Sequence, residues 1–309
     1  MNDPDAARRQ ELWSLLGDLP PKTPPTARRL RVEKHPGFTL EHLVMDLNGI
    51  QEAPALLLLP DNLKAPAPCM LYIHWHGGDY PVGKRELLEG THVLPPYAPV
   101  LAEKGIMTLA IDSWCFGERM PYPDEGGRGE SDTFKEMLWK GRVLFGMMLF
   151  DEWQALNWLL ARPEADPSRA GVFGISMGAT KAWWLAALDP RVSCCIDLCC
   201  LTDFDTLIGE KGLGGHGIYY YVPSLLKHFS APEINALIAP RPRLSLNGRL
   251  DKLTPPRGVE RIRDHVVPLY ETAGRAEDCR IELFDCDHRE LPEMRVLVLD
   301  WLDRHLVGA

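Results

Sequence analysis

From residue 69 onward, short apolar runs alternate with segments of helical period. The runs are Cys69–Trp75, Met107–Ile111, Ala170–Ile175, Val192–Cys199, Arg243–Asn247 and Cys279–Phe284. Between them, Asp151–Ala161, Gly178–Leu188 and Gly258–Thr272 read as helices. Strand-like runs of this kind, buried on both faces and alternating with helices, predict a mostly parallel sheet. Upstream, Leu30–Lys34 and Glu41–Leu47 alternate between apolar and polar residues, and Ala53–Leu59 ends at Pro60. These three predict antiparallel entry strands. Trp153, Leu156 and Leu160 form one helical stripe, and Met294, Leu297, Val298, Trp301 and Leu302 form another, both assigned to core packing.

The pattern divides the chain into an N-terminal arm, residues 1–28, and one α/β catalytic domain, residues 29–309. The arm holds a short helix over Glu11–Leu16 and a connector from Pro20 to Pro25. Two stretches, about 115–138 and 201–237, fit the alternation poorly. Long stretches without regular pattern inside a compact domain tend to carry function, so both are read as cap-like insertions.

Composition narrows the possibilities. A formal net charge of −9 disfavours binding to nucleic acid. No apolar run is long enough for a membrane helix, and no secretory leader is visible, so the expectation is a cytoplasmic protein without a membrane partner. The arm offers a surface on which a second copy could pack. Of eight cysteines, Cys194, Cys195, Cys199 and Cys200 lie in one apolar segment. Their adjacent doublets lack zinc-ligand spacing, so they are expected to be buried thiols, and no metal site is expected.

The chemistry starts at Gly174-Ile175-Ser176-Met177-Gly178, placed between a strand and a helix. A sharp strand-to-helix turn lifts a serine hydroxyl above a sheet, and the helix N-terminus behind it favours negative charge. Ser176 is therefore the candidate nucleophile. Serine needs a base, and the base needs an orienting acid. Asp251 follows a strand in Arg243–Pro255, and His288 ends the segment Arg280–His288 before the last helix. The order serine, acid, histidine is the one this fold type uses. An oxyanion also needs donors. The backbone N–H of Met177 is one, and the His76-Gly77-Gly78 turn supplies another, with Gly78 favoured over Gly77. His76 is expected to prop that turn. From the insertions, Trp114, Phe116 and Trp139 are placed to line one wall of a substrate pocket. His216, Tyr219, Tyr220 and Tyr221 are placed to line the other.

Taken together, these residues resemble the α/β-hydrolase superfamily, over about residues 40–309. Within it, the chain resembles the dienelactone hydrolase and acetyl xylan esterase-like branch. The resemblance rests on Asp112-Ser113-Trp114-Cys115-Phe116-Gly117-Glu118-Arg119, on Gly215-His216-Gly217-Ile218-Tyr219-Tyr220, on Ala239-Pro240-Arg241-Pro242, and on Leu15–Pro20 in the arm. It implies an α/β-hydrolase fold and a carboxylic ester hydrolase with neither metal nor organic cofactor. Dienelactone hydrolases proper carry a cysteine nucleophile where this chain has Ser176, which shifts the implied substrate from dienelactones to small or carbohydrate, acetyl-type esters. Prolyl oligopeptidase-like peptidases share these elements, so amide hydrolysis stays open. A third reading is a non-catalytic binding protein on the same scaffold, which would be expected to show a degraded triad.

Overall fold

The computed structural model describes residues 5–90 and 95–308. The first four residues of the arm lie outside them. Nine strands form one sheet: β1 (Thr26–His35), β2 (Phe38–Asp46), β3 (Ala53–Pro60), β4 (Ala67–Ile73), β5 (Met107–Ile111), β6 (Ala165–Ile175), β7 (Cys194–Leu198), β8 (Arg243–Gly248) and β9 (Cys279–Phe284). Their spatial order is β1-β2-β3-β5-β4-β6-β7-β8-β9. The first three are antiparallel, β5 runs antiparallel to β3, and β4 through β9 are parallel to one another. This is the predicted architecture, with antiparallel entry strands at one edge.

Burial explains the strand patterns. Every residue of β4, β5, β7 and β8 is buried; β4 is apolar throughout, and the charged Asp197 of β7 and Arg243 of β8 are buried as a pair. β1 is an edge strand, open to solvent along most of its length, with Leu30 and Val32 exposed between charged residues. One face of the sheet is covered by α5 (Leu144–Leu160), α6 (Met177–Leu188) and α9 (Pro256–Thr272). The other is covered by α3 (Tyr97–Glu103) and α10 (Pro292–Leu302). Cys194 and Cys195 point into opposite cores, as strand alternation demands, and all eight cysteines are free.

Several elements differ from their predicted form; the N-terminal helix spans Ala6–Ser14 and not Glu11–Leu16. α5 starts at Leu144, well before Asp151. Its first half, Leu-Phe-Gly-Met-Met-Leu-Phe, is buried all round and so shows no period. The stretch 115–138 is not irregular, because Gly126–Trp139 forms helix α4. Its three glycines and thin apolar face hide it, and it is held by contacts to other elements. The 201–237 stretch carries two short helices, α7 (Phe204–Gly209) and α8 (Ala231–Ala236). Asp203 caps the first, and a Ser230/Glu233 capping box starts the second. The N-terminal helix α1 (Ala6–Ser14) packs on its own chain: Leu12 and Leu16 are fully buried, and Arg9 donates to the carbonyls of Ala187 and Leu237.

Two buried polar arrangements tie the sheet to its surroundings. Lys181, on α6, is fully buried and pairs with Glu152 of α5 at 3.0 Å while donating to Ser113. Glu86, in α2 (Glu86–Glu89), accepts from the Tyr72 hydroxyl at 2.6 Å and from the Trp75 amide at 3.3 Å. Burial outweighs these donors and pushes the Glu86 carboxyl up from its ordinary 4.5 to about 8.

Each arrangement yields a measurable outcome. Lys181→Met leaves a buried carboxylate without its cation and is expected to cost about 3–5 kcal/mol of unfolding free energy. Lys181→Met combined with Glu152→Leu should recover most of that loss in urea denaturation, and a double variant no better than the single one contradicts the pairing argument. For Glu86 the sign follows from proton binding. Between pH 4.5 and about 8 the unfolded chain releases the proton that the folded chain keeps. Stability from this group is thus fully present below pH 4.5 and is lost as pH rises towards 8, by up to about 5 kcal/mol. Glu86→Gln should flatten that slope, so wild type minus variant is more favourable at pH 5 than at pH 8. An unchanged difference across that range refutes the assignment.

Candidate active site

The turn that carries Ser176 is set by close packing. β6 ends at Ile175, α6 begins at Met177, and Ser176 between them adopts φ 55° and ψ −117°. This backbone region is costly for a residue with a side chain and persists only where the surroundings impose it. Here they do. The Ser176 amide donates to the Leu198 carbonyl at 2.9 Å, fastening the turn to β7. A Cβ on Gly178 would lie 1.9 Å from the Ile73 carbonyl oxygen, and one on Gly174 would lie 2.2 Å from the Gly178 carbonyl carbon. Only glycine fits either place.

Asp251 and His288 are brought together by an extension of the sheet. Past the ends of β8 and β9 the two chains remain zipped: the Arg249 amide donates to the Phe284 carbonyl at 2.7 Å, and that of Leu250 to Cys286 at 2.9 Å. Asp251 and His288 follow directly. Asp251 is nearly buried, and its Oδ1 accepts from the Leu253 amide at 2.8 Å. Its Oδ2 lies 2.7 Å from His288 Nδ1, and His288 Nε2 lies 2.7 Å from Ser176 Oγ. A carboxylate accepts, so Nδ1 carries the hydrogen, and Nε2 presents its lone pair to the serine hydroxyl. The neighbouring Asp287 faces away and pairs with Arg289.

These groups open on a cavity of about 520 Å³, lined among others by Ser176, Met177, His216, Tyr219, Leu253, His288 and Arg289. Met177 is the first residue of α6, where a helix leaves its amide hydrogens without internal partners. Gly77 and Gly78 also line the cavity, both at positive φ. The Gly78 amide, however, is aimed at His76 Nδ1, at 3.1 Å. The favoured donor of the glycine turn is thus spent within the turn, with His76 as its prop. Burial, with Lys181 and His288 nearby, lowers the His76 imidazole to about 4, so it is neutral.

The aromatic residues divide differently from their predicted placement. His216 and Tyr219 line the cavity. Trp114 does not: it lies under the Arg119 guanidinium, 4.5 Å away, beside a different hollow. Phe116 is fully buried and stacks on Tyr80 with ring centres 4.8 Å apart, supporting the wall from behind. Trp139 is 93% exposed at the end of α4 and lines nothing. Tyr220 and Tyr221 face a neighbouring apolar cavity of about 350 Å³. Residue type signalled aromatic contact, but the direction of each ring depended on how the chain turns after β5 and through residues 213–221.

Other residues were not singled out from the sequence. Glu130, on α4, is buried and accepts from the Tyr80 hydroxyl at 2.5 Å and the Tyr219 amide at 3.0 Å, joining both insertions to the glycine turn. Arg289 at the rim directly follows His288, an adjacency that could have marked it. Behind the site, Asp112 accepts from Lys84 and from the Glu118 amide. A Cβ on Gly117, at φ +57°, would meet Asp112 Oδ1 at 2.2 Å. The segment Asp112–Arg119 is therefore a structural turn. Among the described residues, no group of three or more His, Cys, Asp or Glu side chains is disposed to hold a metal, and no helix is long and apolar enough to cross a membrane.

Comparison with known proteins places this geometry. The model of the Abhydrolase family matches residues 30–281. A Bacillus subtilis (strain 168) protein named "Putative hydrolase YtaP" is 44% identical over 303 residues, which are 97% of this chain and 99% of that one. A "putative acetyl xylan esterase" from Bacteroides fragilis NCTC 9343 superposes with a TM-score of 0.72 at 20% identity, covering 97% of this chain and 86% of its own. A glucuronoyl esterase from Solibacter usitatus superposes at 0.69 with 15% identity, covering 98% and 94%. Those two likenesses concern the fold, which is the α/β-hydrolase fold. With the family model spanning most of the chain and a relative of matching length at 44% identity, this chain belongs to the Abhydrolase family.

Proposed function

We propose that this protein is a serine carboxylic ester hydrolase acting on small or carbohydrate, acetyl-type esters. The observation that carries the reading is the unbroken chain Asp251–His288–Ser176, with both links at 2.7 Å. His288 Nε2 takes the hydroxyl proton as Ser176 Oγ attacks the ester carbonyl. The oxyanion forms beside the Met177 amide, at the positive end of α6. His288 then protonates the departing alcohol, and the same nitrogen activates water to release the acid from Ser176. Asp251 holds the imidazole ring in register and favours its cationic form. This route draws on no metal or organic cofactor.

Support for a carbohydrate ester comes from the solved proteins that share the fold, one named an acetyl xylan esterase and another a glucuronoyl esterase. The cavity suits it, since imidazole, phenol and guanidinium groups line it.

The test is hydrolysis of p-nitrophenyl acetate, butyrate and octanoate by the wild type, Ser176→Ala and His288→Ala. Turnover is expected to be fastest for the short esters, and each variant should lose roughly 10⁴-fold or more of kcat. Variants that match the wild type would remove Ser176 and His288 from the reaction. A fluorophosphonate should label Ser176 and no other serine.

A further inference from the structure

The polarity of one hydrogen-bond chain can be read in full. A backbone amide can only donate, so the Gly78 N–H, 3.1 Å from His76 Nδ1, makes that nitrogen an acceptor. A neutral imidazole then carries its hydrogen on Nε2. That nitrogen is 3.4 Å from the Tyr219 hydroxyl oxygen, so the imidazole donates and the phenol oxygen accepts. The tyrosine's own O–H hydrogen is left without a role in this chain.

Among the described residues, no other polar neighbour takes it. The buried Glu130 carboxylate already accepts the Tyr219 amide on one oxygen and the Tyr80 hydroxyl on the other. Tyr219 is nearly buried and lines the cavity that also holds Ser176, Met177 and His288. Its ring is fixed against His76 and Phe116, with ring centres 5.8 and 6.1 Å away. Burial pushes the phenol well above its ordinary value, so it keeps its proton at any pH where the enzyme would be assayed. Meanwhile the glycine turn, which ought to furnish the second oxyanion donor, has the Gly78 N–H turned to His76.

We infer that the Tyr219 hydroxyl is the side-chain donor to the substrate's carbonyl oxygen, strengthening as that oxygen becomes an oxyanion and complementing the Met177 amide. This rests on the ester-hydrolase reading above. It makes Tyr219 a catalytic residue, and it makes His76 and Glu130 positioning residues that set which way the phenol hydrogen points. His76 directs it by donating to the oxygen. Glu130 holds the main chain that carries the ring.

Tyr219→Phe tests the inference, because it deletes one oxygen and leaves the ring. With p-nitrophenyl acetate, kcat should fall on the order of 10²-fold with KM little changed, as for loss of a single oxyanion donor. Phenylboronic acid, which forms a tetrahedral adduct on a catalytic serine, should bind more weakly by a similar factor. The loss should be the same from pH 6 to pH 9, since a donor that stays protonated adds no titration. The melting temperature should stay close to wild type, and a fluorophosphonate should still label Ser176 to completion. An unchanged kcat and boronate affinity overturns the inference. So does a raised KM at unchanged kcat, which would make the phenol a ground-state contact. If the Tyr219→Phe chain melts early, Tyr219 carrying 3-fluorotyrosine keeps the ring and hydroxyl, and kcat that ignores the stronger donor counts against the assignment. A wild type that neither hydrolyses esters nor labels at Ser176 overturns the ester-hydrolase reading itself, separately from the role of Tyr219.

Discussion

The site depends on the approach of α6 to the end of β4, where the Gly178 Cα passes so near the Ile73 carbonyl that no methyl group fits. That contact fixes the angle at which the helix leaves the sheet. The angle forces Ser176 into its left-handed backbone and lifts the hydroxyl clear of the strands. Packing around it is what sustains the strain: β7 takes the Ser176 amide, and α6 is buried along its whole length. The buried Lys181–Glu152 pair then pins α6 to α5, one turn beyond the nucleophile.

A second construction positions Asp251 and His288. The strands β8 and β9 continue their ladder past their formal ends, so that Asp251 and His288 are delivered a hydrogen bond apart. Neither residue needs a long loop search. Asp251 is sequestered, and the His288 imidazole is partly exposed.

Much of this was legible in the chain. β4, buried on both faces, declares itself by an unbroken apolar run. The elbow declares itself because glycine at positions 174 and 178 is a steric necessity between a readable strand and a readable helix. What was hidden is instructive in physical terms. The first half of α5 is apolar on every side, so it has no period. Helix α4 begins with glycines and is stabilised by Glu130 reaching Tyr80 and Tyr219, partners far away in sequence. Trp114 and Phe116 were read as pocket walls because their type is right, yet the turn around Asp112 and Gly117 carries them inward. The Gly78 amide was read as an oxyanion donor because glycine permits it, and nothing in the sequence reveals that His76 claims that hydrogen.

β9 lies at the outer margin of the sheet, paired on one side alone. His288 therefore follows a strand whose hydrogen bonds are among the first that solvent can breach. Fraying of β9 from β8 unlatches His288 from Asp251 and Ser176 while the two cores, centred on the inner strands, stay closed. Assembly of the Asp251–His288–Ser176 chain is then a local equilibrium nested within the global one.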